Sequence, residues 1–175
     1  MRVAVSFLRF IVASVSLLFV CACNVTEDLP TYAESTIVGE GDLMPNFEVV
    51  LTDGTTVDSR DYIGEPLLLI LFSPTCPDCK MLLDELQQLI NAGVTLPKIL
   101  AVGRDATDDD IVAYAGENGY TMPMAPDAQK RVFSLFATTY VPRTYLIGRD
   151  GVVEMLAIEY DPSYIPALLD RAALL

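Results

Sequence analysis

Leu67-Leu68-Leu69-Ile70-Leu71-Phe72-Ser73-Pro74-Thr75-Cys76-Pro77-Asp78-Cys79-Lys80 joins two periodicities. Leu67 to Phe72 is an unbroken apolar run, which predicts a central strand covered on both faces. Beyond it Leu82, Leu83, Leu86, Leu89 and Ile90 recur at helical spacing, the stripe of a helix packed on one side and ending near Asn91 to Gly93. Cys76 and Cys79 stand at the junction, one helical turn apart and close enough to form and break a disulfide.

Outward from this junction the chain reads as one domain. At 175 residues and 52% apolar composition it buries a single good core, and a second domain would be cramped. The segment 44–175 holds the periodic elements. Phe47, Val49 and Leu51 fall on one face of a strand; Asp53-Gly54 is a turn, and Thr55 to Val57 returns, giving an N-terminal β-hairpin. Ile99 to Val102 is a second buried strand. Asp108 is placed to cap a helix that stops near Gly119, Tyr120 to Met124 reads as a short edge strand, and Asp127 is placed to cap a helix carrying Val132, Phe133, Leu135 and Phe136. Thr144 to Ile147 and Val152 to Ile158 form a hairpin across Arg149-Asp150-Gly151, and a last helix starts near Ser163. The predicted fold is α/β: a mixed sheet flanked by helices, with the N-terminal hairpin as an extension.

The beginning differs in kind. Arg2 and Arg9 precede an apolar stretch from Phe10 to Val20, and no acidic residue appears before Glu27, the layout of a secretory signal. Its end, Val20-Cys21-Ala22-Cys23, resembles the bacterial lipobox. That resemblance implies cleavage after residue 22 and a lipid on Cys23, although Cys21 is a less usual occupant of its position. An ordinary cleaved signal and an uncleaved anchor are the competing readings; the apolar run is short for a spanning helix, which needs about 20 residues. Residues 23–43, polar and acidic, are expected to form a flexible tether.

Removing residues 1–22 takes away two positive charges and no negative one, moving the net charge from -13 to -15. Nucleic acid is then excluded as a partner, since it requires clustered Lys and Arg. An anionic lipid surface is excluded on the same ground, so any membrane contact is expected through the lipid anchor. The protein is expected outside the cytoplasm, on the periplasmic side of a bacterial membrane.

The thiol chemistry is narrowed by what is missing. There is no histidine, and the remaining cysteines are Cys23, Cys76 and Cys79. A structural zinc site wants about four Cys or His ligands, so no metal is expected, and a Cys-His nucleophile lacks its base. Disulfide exchange remains, and it needs no cofactor. Cys76 precedes the first helical turn, where unsatisfied N–H groups favour a thiolate; Cys79 lies inside the helix and is shielded. Cys76 is expected to attack a partner disulfide and Cys79 to resolve the mixed disulfide. A permanent disulfide pinning the helix start is the bland alternative, but so small a loop stabilises little.

Ser73 to Lys80 after a buried strand, with Val141-Pro142-Arg143-Thr144-Tyr145-Leu146-Ile147 and Asp150-Gly151 downstream, resembles the thioredoxin-like superfamily in its TlpA/ResA/AhpC-TSA branch. The resemblance covers about residues 44–175. It implies that Pro142 follows a cis bond and lies against the thiols, keeping metal and stray donors away, while Val141 offers backbone hydrogen bonds to an extended substrate. Thr75, Pro77, Asp78, Val141 and Arg143 are then expected to line the substrate surface. The partners implied are disulfide-bearing exported proteins and, by analogy, a membrane thiol electron donor.

Three positions depart from the family pattern. Thr75 replaces a common Trp, Ile70 stands where thioredoxin has a buried aspartate, and Leu82 stands where some cytochrome-maturation members have a glutamate. With neither acid present, water or another carboxylate, Asp78 being nearest in sequence, must assist Cys79. Asp78 also opposes the thiolate forms electrostatically, which points to a reductant or isomerase rather than a strong oxidant. Two other functions compete. A peroxiredoxin-like thiol peroxidase is suggested by Arg143 and Ser73, although Leu69 replaces its expected proline. A non-catalytic lipid-anchored binding module would leave the thiols idle.

Overall fold

The computed structural model describes residues 29–175. The signal peptide, Cys23 and the first part of the expected tether lie outside the described residues.

β3 (Leu67–Phe72) is the centre, and each of its residues is at most 1% exposed. Together with β4 (Lys98–Arg104), β5 (Met124–Asp127), β6 (Arg143–Ile147) and β7 (Val153–Ile158) it forms a sheet of order β5-β4-β3-β6-β7. β4 runs parallel to both β3 and β5, whereas β6 is antiparallel to β3 and to β7. Side-chain alternation divides β3 between two cores. Leu68, Ile70 and Phe72 face α2 (Pro77–Asn91), α3 (Asp108–Asn118) and α5 (Tyr164–Ala172), packing with Cys79, Leu82, Leu83, Leu86, Ile111, Ile165 and Leu168. Leu67, Leu69 and Leu71 face the other way, toward Phe133 and Phe136 of α4 (Phe133–Phe136) and toward Phe47 and Val49. The unbroken apolar run is therefore a strand with a core on each side.

The N-terminal hairpin is β1 (Glu48–Val50) and β2 (Thr56–Asp58), an antiparallel pair in a sheet of its own. Its turn uses Gly54 at φ +86, where a Cβ would be strained, and the Asp53 carboxylate accepts from Thr55 N–H at 2.8 Å. Thr52 N–H donates to Met124 O at 3.0 Å, which fastens the hairpin to the sheet edge.

Several boundaries move for local reasons. α3 is capped by Thr107 rather than Asp108: Thr107 and Asp110 exchange side-chain-to-backbone bonds in a capping box. β5 starts at Met124, four residues later than expected, because its pairing is with Ala101 to Arg104; it remains an edge strand, where Pro126 is tolerated. Asp127 closes that strand and still caps α4 from a distance, its Oδ2 accepting from Val132 N–H at 3.1 Å and Phe133 N–H at 2.8 Å.

The expectation of a tether is corrected over residues 30–43. Thr31 and Glu34 form a capping box on α1 (Tyr32–Ser35), Ser35 is wholly buried and Val38 is 6% exposed. Ile37 and Val38 N–H both donate to Phe136 O, and Val153 N–H donates to Asp42 O. The segment docks through caps and backbone bonds with one apolar anchor, so hydrophobic periodicity had nothing to register.

The Phe136 ring meets Phe47 and Tyr145 at centroid distances of 5.9 and 5.0 Å and is fully buried. Phe136→Ala is expected to lower unfolding free energy by about 3–5 kcal/mol, and half-exposed Leu135→Ala by about 1 kcal/mol or less, in urea denaturation.

Candidate active site

β3 ends at Phe72 and the chain turns through Ser73 to Thr75, with Cys76 N–H donating to Ser73 O at 3.1 Å. Cys76 is then the N-cap of α2 and Pro77 its first residue, where a missing N–H is no loss. This arrangement leaves Cys76 partly accessible and buries Cys79 completely. Both are free thiols.

Three hydrogen bonds define the pair. Cys79 N–H donates to Cys76 Sγ at 3.4 Å, so the sulfur serves as the cap acceptor. Ser73 N–H donates to Cys79 Sγ at 3.4 Å. The Cys76 thiol donates to Val141 O at 3.5 Å. Burial among Ile70, Phe72, Leu82 and Leu83, and then the hydrogen bond with Cys76, push the Cys79 thiol well above the ordinary thiol range; the Ser73 N–H opposes them. Ile70 and Leu82 are themselves buried, so both positions are part of the apolar wall around Cys79.

The Val141–Pro142 bond is cis, and Pro142 is buried with Val141 half-buried beside the thiols. Thr75 and Pro77 are exposed, and Asp78 is half-buried in the first turn. The residues expected around the thiols thus gather at one end of β3, with one exception.

Arg143 does not belong to the substrate surface. It pairs with Leu71 across the sheet and shares that face, the one opposite Cys79. It is fully buried, its Nε donating to Thr139 O at 3.1 Å, Nη1 to Thr36 Oγ1 at 2.9 Å and Nη2 to Ser35 Oγ at 2.6 Å. Strand parity could have revealed this: two residues before Tyr145 and four before Ile147, Arg143 must follow their side. The same placement puts the Arg143 guanidinium on the face of the sheet away from the thiols.

Sequence reasoning missed Tyr32, Tyr114, Tyr140 and Glu159. Tyr114 lies over Phe72 at 5.8 Å, roofing the end of β3. Tyr32 and Tyr140 meet edge to face at 4.9 Å beside the Val141–Pro142 loop. Single tyrosines on polar stretches carry no signal of this kind. A groove of about 730 Å³ between Val57, Tyr62, Ile90, Leu96 and Met122 lies at the opposite end of the sheet, near Lys98, and is remote from the thiols.

The chain matches the AhpC/TSA family model over residues 41–156, about two thirds of its length. It is 24% identical over 148 residues to the thiol-disulfide oxidoreductase ResA of Bacillus subtilis, covering 82% of this chain and 81% of that one. Among solved structures, a Bacteroides thetaiotaomicron protein superposes with TM-score 0.74 at 22% identity, covering 79% of this chain and 91% of that one. The thioredoxin domain of a thiol-disulfide oxidoreductase from Bacteroides vulgatus gives 0.64 at 17% identity, over 74% and 96%. A match of this length places the chain in the AhpC/TSA family, in the TlpA/ResA-like branch of the thioredoxin-like superfamily, as a thiol-disulfide oxidoreductase.

Proposed function

We propose that this oxidoreductase is a lipid-anchored, extracytoplasmic reductant or isomerase of disulfides in exported proteins. The observation that carries the reading is the division between a reachable Cys76 and a buried Cys79. The Cys76 thiolate attacks one sulfur of the substrate disulfide; a Cys76–substrate bond forms, the substrate S–S bond breaks, and one substrate thiolate leaves. Cys79 then gives up its proton and attacks Cys76 Sγ, forming the Cys76–Cys79 disulfide and releasing the second substrate thiol. Two electrons have passed to the substrate. A membrane thiol donor, by analogy, reduces the pair again.

The direction follows from Cys79. Strong oxidants of this kind owe their potential to a stabilised reduced form. Here burial destabilises one thiolate, with neither buried acid nor histidine nearby. Cys79 therefore supplies no stabilised thiolate of the kind a strong oxidant needs, which supports the reductant or isomerase reading. The exposed Thr75, Pro77 and Asp78, with Val141, form the surface offered to an extended substrate. The lipid anchor rests on Val20 to Cys23, and among the described residues no helix is long and apolar enough to cross a membrane.

Cys79→Ser should trap substrates on Cys76 as mixed disulfides, and Cys76→Ser should abolish insulin reduction; an intact chain that reduces no insulin would sink the reading. The couple should lie well below about -120 mV, the value of a strong oxidant. Because Cys79 stays protonated across the neutral range, resolution of a pre-formed mixed disulfide should accelerate about tenfold per pH unit between pH 6 and 9; a flat profile in stopped-flow would contradict it. Cys23→Ser should move the protein from the membrane fraction to the soluble fraction.

A further inference from the structure

The loop that faces Cys76 is held by residues from the start of the described chain. Arg143 follows Pro142 directly, and two of its three acceptors are the hydroxyls of Ser35 and Thr36. Among the described residues it makes no ion pair. A guanidinium does not lose its proton, so this is a buried charge satisfied by neutral oxygens. Removing those oxygens leaves charged donors unpaired in the interior, a condition the arginine escapes only by moving.

The grip has more than one finger. Tyr140 OH donates to Pro30 O at 2.6 Å, and Thr138 N–H donates to Ser35 O at 2.9 Å. The Tyr32 hydroxyl bonds the Glu159 carboxylate, and Glu159 N–H donates to Pro142 O at 2.8 Å. Tyr140 and Glu159 both have positive φ, +64 and +63, a region that non-glycine residues occupy when their surroundings dictate it. Residues 30–36 and Glu159 thus close on the loop from two sides. Between them the loop presents Val141 O to the Cys76 thiol at 3.5 Å.

We propose that residues 30–36 are a positioning element of the redox site, acting through Arg143 and Tyr140 to fix the Val141 carbonyl against Cys76. The thiol donates to that carbonyl only while it carries its hydrogen; the disulfide has none to give. The contact therefore stabilises the dithiol relative to the disulfide, and releasing the loop shifts the couple toward the disulfide. The docked segment 30–36 is part of the machinery that sets the electron affinity of the thiols. The inference rests on Cys76 and Cys79 exchanging with external thiols, and it deepens the proposed function by naming what tunes it.

The test is the equilibrium of the full chain with glutathione buffers, reading the fraction of Cys76–Cys79 disulfide. Ser35→Ala combined with Thr36→Val should shift the equilibrium constant toward the disulfide about fivefold. Tyr140→Phe, which removes one bond to the segment, should shift it the same way by less. Arg143→Lys should behave like the double variant, since an ammonium does not span three acceptors. Val49→Ala, at the buried middle residue of β1, supplies a destabilised control that should lower the melting temperature without moving the equilibrium. If the double variant and Tyr140→Phe melt earlier yet keep the wild-type equilibrium within twofold, the segment is merely structural and the inference is overturned. Insulin reduction by the wild type reads the proposed function separately, because the glutathione equilibrium of the pair is measurable whatever the protein substrate.

Discussion

A thiol with no exposure, closed between the end of the central strand and the first turn of α2, is the constraint around which the site is arranged. Cys79 belongs to the same apolar cluster as Ile70, Phe72, Leu82 and Leu83, so the packing that stabilises the fold is also what keeps its proton on. A single peptide group, Ser73 N–H, reaches its sulfur from the strand end. Packing and reactivity are thereby coupled: a change that wets this corner loosens the core and lowers the thiol's resistance to ionisation together. Cys76 escapes the constraint because it is the cap, half outside the helix it begins.

How much of this was legible follows from which kind of interaction each part uses. The strand–helix junction was legible because burial on both faces of β3 and on one face of α2 leaves two different periodicities in one stretch of sequence. The hairpins were legible from turn chemistry, and the exposure of Cys76 and burial of Cys79 from their positions relative to a helix start. Residues 30–43 were not, since they dock by hydroxyls, caps and main-chain bonds that leave no pattern of apolar residues. Arg143 was misread for another reason. A motif resemblance assigned it a role by position along the chain, while strand alternation, which the sequence also contained, assigned its side chain to the opposite face.

The carboxylates near α2 differ in what they can offer Cys79. Asp84 accepts from Lys80 Nζ at 2.8 and 2.9 Å and from Tyr120 OH at 2.7 Å. Burial works against its ionisation, yet the bonds from Lys80 and Tyr120 hold its carboxyl below the usual carboxylate range. A carboxylate so engaged is a poor proton acceptor. Asp78, half-buried in the first turn of α2, is free of such partners among the described side-chain bonds, and the charged side chain that eases ionisation of Cys79 is Arg104 rather than a carboxylate.

The burial of Cys79 bears on the rate of its resolving attack. Each unit by which a thiol's pKa rises lowers its thiolate about tenfold at fixed pH, while the nucleophilicity of that thiolate rises about threefold on a Brønsted slope of roughly 0.4–0.5. The net loss is about threefold per unit, modest beside the tenfold drop in concentration alone. Meanwhile each unit disfavours the reduced thiolate by about 1.4 kcal/mol, which moves the couple toward donating electrons wherever that thiolate would otherwise be populated. With Ile70 and Leu82 in the wall around Cys79, the cost of its raised pKa falls on the resolving step, where the stronger nucleophilicity of the thiolate offsets only part of its scarcity.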